Sequence, residues 1–257
     1  MTVSILQREN KPNLAYVLSE AAADGAHLPL VMFCGGYKSD MNGTKATYLE
    51  SACQQRGQAY LRFDYSGHGE SDGAFEAGTI GGWLGDALDV YDAAGRGRPV
   101  ILVGSSMGGW IALLFAVSRV GSVKGLIGIA AAPDFTKNLW DNELTPQQRD
   151  IITQKGRLEI PNDYSDEPYI FTKKLFDDAQ NHMLLDEKHN IEAPMRLIQG
   201  MKDADVPWQT AVRIQDAFMG DDVETIFVDD GDHRLSRPED LELLFKEVVA
   251  LSEKAKS

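Results

Sequence analysis

Ser106 sits in Gly104-Ser105-Ser106-Met107-Gly108, a G-x-S-x-G turn between the aliphatic run 99–103 and the helix-forming run 110–117. In such a turn the serine adopts a strained backbone conformation, so the residues two before and two after it must be small. The helix that follows aims its free N–H groups at the reacting centre, where the amide of Met107 can hold a developing oxyanion. The chemistry these residues allow is acyl transfer through a covalent serine intermediate.

A serine hydroxyl is a poor nucleophile at neutral pH and needs a base to take its proton and a carboxylate to orient that base. Two late loops can supply them. One is Gly200-Met201-Lys202-Asp203-Ala204-Asp205-Val206-Pro207, and the other is Asp229-Asp230-Gly231-Asp232-His233. Of the five histidines, His27, His68, His182 and His189 precede an early strand, lie in an early loop or fall in a polar central segment; only His233 follows a late strand. Asp203 and Asp205 compete for the acid, and Asp203, nearer the strand end, is the better placed to reach back to the imidazole. Asp232 shares the turn of His233 and is expected to point elsewhere. A second oxyanion donor is expected from the loop opening Gly35-Gly36-Tyr37, at the amide of Tyr37 or, failing that, of Gly36.

The motif by itself says little in a chain with 24 glycines. Gly69-Glu70-Ser71-Asp72-Gly73 matches it too, but no strand directly precedes it, so Ser71 reads as a loop residue.

Residues so far apart can meet only if the intervening elements bring their loops to one edge. Short apolar runs at 14–18, 28–34, 59–63, 99–103, 123–130, 195–198 and 225–228 alternate with helical patterns at 44–56, 79–94, 107–118, 209–218 and 238–253. That alternation predicts an α/β fold with a mostly parallel sheet covered on both faces by helices. Pro238, with Asp240 just inside, marks a helix start. Between about 134 and 194 the strand-like runs give way to polar sequence carrying Leu139, Trp140, Ile151, Ile152, Tyr164, Tyr169, Phe171, Leu175 and Phe176. This segment reads as a mostly helical insertion in a single domain spanning 1–257, packed on the sheet and in part a lid over the serine.

Composition narrows the function classes. A net charge of −14 argues against nucleic acid or an anionic membrane as partner. The longest aliphatic runs fall well short of the roughly 18 residues a membrane span needs. The first ten residues do not fit a signal or transit peptide, and Cys34 and Cys53 are too few for a disulfide framework. A cytoplasmic protein is the expectation. The chain has no phosphate loop, no dinucleotide-binding turn and no H-E-x-x-H or other ligand-spaced pair, so neither cofactor nor metal is expected. Residues 254–257 are the one stretch expected to be a loose tail.

Gly35-Gly36-Tyr37, the run Asp64-Tyr65-Ser66-Gly67-His68-Gly69-Glu70-Ser71-Asp72-Gly73, the serine turn, the Gly200 loop and Asp232-His233 follow the order of the α/β-hydrolase superfamily, which the chain resembles along nearly its whole length. More narrowly, Met41-Asn42-Gly43-Thr44-Lys45-Ala46, Arg62-Phe63-Asp64 and Val206-Pro207-Trp208 resemble the mitochondrial acyl-protein thioesterases of the α/β-hydrolase-domain group. That resemblance implies the α/β-hydrolase fold, a triad of Ser106, Asp203 and His233, and cleavage of acyl thioesters or esters on a small molecule or an acylated protein. A carbon–carbon bond hydrolase, an aminopeptidase or a non-catalytic small-molecule-binding protein of the same fold are the alternatives.

Overall fold

Aliphatic runs of four to seven residues, continuous rather than alternating with polar ones, form strands that bury both faces. The computed structural model describes residues 2–162 and 167–255. The strands are β1 (Ser4–Leu6), β2 (Leu14–Ser19), β3 (Leu30–Cys34), β4 (Tyr60–Phe63), β5 (Val100–Ser105), β6 (Val123–Ile129), β7 (Arg157–Ile160), β8 (Tyr169–Thr172), β9 (His189–Asn190), β10 (Met195–Gly200), β11 (Phe218–Met219) and β12 (Val223–Val228). The helices are α1 (Thr44–Gln55), α2 (Ile80–Val90), α3 (Met107–Ser118), α4 (Phe135–Asn138), α5 (Pro146–Lys155), α6 (Lys173–Ala179), α7 (Gln209–Ala217) and α8 (Pro238–Lys254).

Among the described residues the main sheet has eight strands in the order β1-β2-β4-β3-β5-β6-β10-β12. The six from β4 to β12 are parallel, and β1 and β2 extend the β4 edge antiparallel. Successive residues of one strand feed opposite cores. Leu30 and Met32 pack with Trp83 of α2 and Trp110 of α3, whereas Val31 and Phe33 pack with Leu49 of α1 and Val248 of α8. All seven expected strand runs and all five expected helices are present. Helix α8 begins at Pro238, with Asp240 accepting from the Arg237 N–H at 3.0 Å.

Two features depart from the sequence reading. β1 is a three-residue, largely exposed strand that carries no apolar alternation. The 134–194 segment carries α4, α5 and α6, as expected, but it also contains strands: β7 and β8 form an antiparallel ribbon in which Leu158 faces Phe171 and Ile160 faces Tyr169. The Leu158-x-Ile160 and Tyr169-x-Phe171 alternation signals it, but four-residue strands are at the limit of what such a pattern can carry. Asp134, in the left-handed region at φ 58°, closes the base of the segment by accepting from the N–H groups of Leu184 and Leu185 at 2.9 Å each. Tyr164 and residues 256–257 lie outside the described residues, so the reading of them is untouched; Lys254 ends α8. Among the described residues no helix is long and apolar enough to cross a membrane. Cys34 and Cys53 are free and buried, and burial pushes each thiol up to about 12.

Motif residues outside the serine turn also find their purpose here. Arg62, 8% exposed, pairs with Glu50 of α1 at 2.9 Å and donates to the carbonyl of Met41 and the Oδ1 of Asn42. It thereby fixes the turn that leads into α1. Removing one partner of a buried pair leaves an uncompensated charge, so Arg62→Met is expected to lower unfolding free energy by about 3–5 kcal/mol, with Arg62→Met/Glu50→Met recovering most of it. Urea denaturation of the two variants checks this.

Candidate active site

Because β3, β5, β10 and β12 run parallel, the loops after them emerge along one edge of the sheet, the edge where ligands bind in open α/β folds. The first of these elements is the turn at Ser106, with φ 55° and ψ −121°. Its neighbours leave no room for side chains: a Cβ on Gly104 would lie 2.3 Å from the Gly108 carbonyl oxygen, and one on Gly108 would lie 2.1 Å from that of Cys34. The turn is then locked by hydrogen bonds, with Ser106 N–H donating to Ile129 at 2.9 Å and Ser106 O accepting from Gly109 at 2.8 Å and Ala132 at 3.0 Å.

His233 lies between Ser106 and Asp203. Its Nε2 is 3.2 Å from Ser106 Oγ and its Nδ1 is 2.9 Å from Asp203 Oδ2. The carboxylate fixes the tautomer, since Nδ1 must carry a proton to meet it and Nε2 is left to accept from the hydroxyl. Asp203 is fully buried at its side chain. Its Oδ1 accepts from the N–H groups of Asp205 at 2.9 Å and Val206 at 2.8 Å, and its Oδ2 accepts from Gln199 Nε2 at 3.2 Å. These bonds turn Asp203 inward and leave Asp205 exposed at the surface of the same loop. Asp232 accepts from the N–H of Leu235 at 3.0 Å, while the carboxylate on His233 Nδ1 is that of Asp203. Gln199 carries no signal in a single sequence, because it reads as an ordinary strand residue. Asp203, Asp205 and His233 bring possible metal-ligand atoms within 4.8 Å of one another, but both ring nitrogens of His233 are already engaged.

Tyr37 and Met107 line the same cavity as Ser106 and His233, a space of about 1200 Å³. Gly36 also lies against the nucleophile: a Cβ there would lie 3.5 Å from Ser106 Cβ, so the loop packs on the serine. The Tyr37 ring is stacked on Phe171 with centroids 5.3 Å apart and is edge-on to Phe75, Trp83, Phe135 and Tyr169. Its hydroxyl donates to the Ile170 carbonyl, and burial pushes the phenol well above its usual range.

Ser71, the serine of the second G-x-S-x-G match, is engaged elsewhere. Its hydroxyl donates to the Asp64 carbonyl at 2.7 Å and accepts from the Ala15 N–H at 2.8 Å. The loop that carries it instead braces the loop above Ser106. His68, 4% exposed, accepts from the N–H of Lys38 at its Nε2 and faces the Ser66 carbonyl with its Nδ1, each at 3.3 Å. Asp64 accepts from the N–H of Met41 at 2.6 Å. A backbone donor on one side and a carbonyl on the other suit only the neutral Nδ1–H tautomer of His68, and burial lowers its pKa from the ordinary 6.5.

A serine at a strained strand-to-helix turn, facing an imidazole and a carboxylate from later loops of a mostly parallel sheet, is the arrangement of the α/β hydrolases. Residues 25–157 match the family profile described as serine aminopeptidase, S33. The palmitoyl-protein thioesterase ABHD10, mitochondrial, of Bos taurus is 39% identical over 254 residues, covering 98% of this chain and 81% of its own. A solved structure of a protein from Agrobacterium vitis S4, described as a hydrolase, superposes with a TM-score of 0.90 at 37% identity and covers 98% of both chains. Mouse α/β hydrolase domain-containing protein 10 gives 0.89 at 37% identity and covers 99% of both. The chain belongs to the α/β-hydrolase family that contains these proteins, and it is a hydrolase.

The neutral state of His68 has a consequence for stability. Its folded pKa lies below its unfolded one, so the unfolded chain binds more protons as the pH falls below 6.5. The His68 contribution is therefore complete above that value and is lost towards the folded pKa. The advantage of wild type over His68→Gln in urea melts is expected to be largest at neutral pH and to shrink steadily in acid.

Proposed function

We propose that this enzyme cleaves carboxylic esters or acyl thioesters through an acyl-enzyme on Ser106. The observation that carries the reading is the continuous contact Ser106 Oγ to His233 Nε2 at 3.2 Å and His233 Nδ1 to Asp203 Oδ2 at 2.9 Å, on the wall of a large cavity. In this reading Ser106 Oγ bonds to the acyl carbon as its proton passes to His233 Nε2. The amides of Tyr37 and Met107 hold the tetrahedral oxyanion. The protonated imidazole then gives its proton to the departing thiol or alcohol. Water, deprotonated by the same imidazole, attacks the acyl carbon, releases the acid and restores Ser106. Asp203 orients the ring and stabilises its charged form throughout, and no cofactor enters.

The 134–194 segment acts as a cap in this scheme. Leu139, Leu144, Ile160 and Phe171 give the cavity an apolar wall for an acyl chain, while Arg234 and Ser236 line a polar side suited to the leaving group. The Bos taurus relative is named for palmitoyl-protein thioester cleavage, which makes an acylated protein or a small acyl thioester the substrate class we favour. We read the compartment as the cytoplasm, which keeps Cys34 and Cys53 reduced; the ABHD10 relatives are named as mitochondrial.

Ser106→Ala is expected to lower kcat by roughly 10⁴ to 10⁶ and to abolish fluorophosphonate labelling, and Asp203→Asn to cost about 10³ to 10⁴ against tenfold or less for Asp205→Asn. Labelling that persists in Ser106→Ala moves the nucleophile elsewhere.

Each methylene buried in the cavity contributes about 0.8 kcal/mol, so kcat/KM for p-nitrophenyl esters is expected to rise at least roughly tenfold from acetyl to octanoyl. Leu144→Trp should erase most of that rise by filling the wall. A steady decline from acetyl upward in the wild type removes the acyl-chain reading.

A further inference from the structure

Residues 233–236 form no regular element, yet they carry the imidazole on which the proposed reaction turns. The backbone there is demanding: Leu235 is left-handed at φ 43° with its side chain 2% exposed. Such a conformation persists only where the surroundings over-determine it. Two restraints come from the loop itself, the Leu235 N–H to Asp232 Oδ1 bond at 3.0 Å and the Ser236 Oγ to Arg234 carbonyl bond at 2.9 Å.

The third comes from another element, α1. Lys45 stands on the first turn of α1, and its Nζ donates to the Arg234 carbonyl and to Ser236 Oγ, the latter at 3.3 Å. A cation in a first helical turn opposes the helix dipole, and no acidic residue in that turn offsets it. Partial burial adds a desolvation cost. What the position provides is a charge-assisted bond to the carbonyl of Arg234, the residue that follows His233.

We propose that Lys45 is a positioning residue for His233: by holding the Arg234 carbonyl it sets the direction in which the imidazole meets Ser106. The assignment rests on the reading of Ser106 and His233 given above. Burial lowers the Lys45 pKa to about 8, with Asp232 and Asp240 opposing the shift and Arg234 adding to it. The clamp therefore loses its charge in mild alkali, and the approach of His233 to Ser106 loosens with it.

The test measures kcat, KM and the rate of fluorophosphonate labelling for wild type, Lys45→Met and Lys45→Arg across neutral and alkaline pH. Lys45→Met is expected to reduce kcat and labelling together by roughly tenfold to a hundredfold with KM unchanged, the size of effect that a displaced catalytic group produces. Wild type should show a descending limb centred near pH 8, absent from Lys45→Met. Lys45→Arg, which keeps its charge, should retain most of the activity and lose the limb. The proposal fails if Lys45→Met raises KM while kcat and labelling stay at wild-type values, since Lys45 then binds substrate instead. It fails equally if the wild-type limb is absent or survives in Lys45→Met. Labelling that is lost in Ser106→Ala but unaltered in Lys45→Met defeats this assignment alone, whereas labelling that persists in Ser106→Ala defeats the reading beneath it. Should Lys45→Met not fold, the wild-type limb and its loss in Lys45→Arg decide the matter.

Discussion

Holding a serine at φ 55° and ψ −121° costs about 1–3 kcal/mol, which the chain meets by making every alternative impossible. The ends of β3 and β5 and the start of α3 approach so closely that Gly104 and Gly108 touch neighbouring backbone. With β6 accepting the Ser106 N–H, the serine cannot relax without parting the middle of the sheet. The same closeness brings Gly36 against the serine, where a Cβ would lie 3.5 Å from Ser106 Cβ. The order β4-β3-β5-β6-β10-β12 follows from this requirement, because it delivers the loops after β3, β10 and β12 to the edge where the strained turn lies.

Around that turn the loops are held by polar groups that take no part in the proposed reaction. Gln199 and two backbone amides orient Asp203, His68 and Asp64 hold the loop above the serine, Arg62 fixes the entry to α1, and Asp134 closes the base of the cap. Each is largely withdrawn from water and paired, so each bond is stronger than it would be at the surface. Tyr37 joins two of these regions: its backbone lies at the serine and its ring is stacked on the cap strand β8.

The strands were legible because burial on both faces demands unbroken aliphatic runs, and Ser106 was legible because its turn demands glycines at fixed offsets. His233 followed from its place after the last strand. Ranking Asp203 over Asp205 used only distance from the strand end; the orienting bonds from Asp205 N–H and Val206 N–H involve backbone and leave no mark in residue types. His68 was passed over for a related reason: a histidine that accepts from one peptide and faces the carbonyl of another looks like any loop histidine until the fold brings residue 38 beside it. The β7–β8 ribbon is harder to read because alternations of only four residues are short, and because the ring that Phe171 stacks on, Tyr37, is far away in sequence.

Cys34 ends the strand that leads to Gly35 and Gly36, close behind the serine turn, and an enzyme that handles activated acyl groups has reason to keep a thiol there silent. A thiolate competes with water for an acyl-enzyme and would carry the acyl group off as a dead-end thioester. Burial pushes the thiol up to about 12, which favours the protonated form at neutral pH. The core thus insulates the chain from acylating itself, a protection that comes from packing alone and would be lost wherever a substitution let water reach the sulfur.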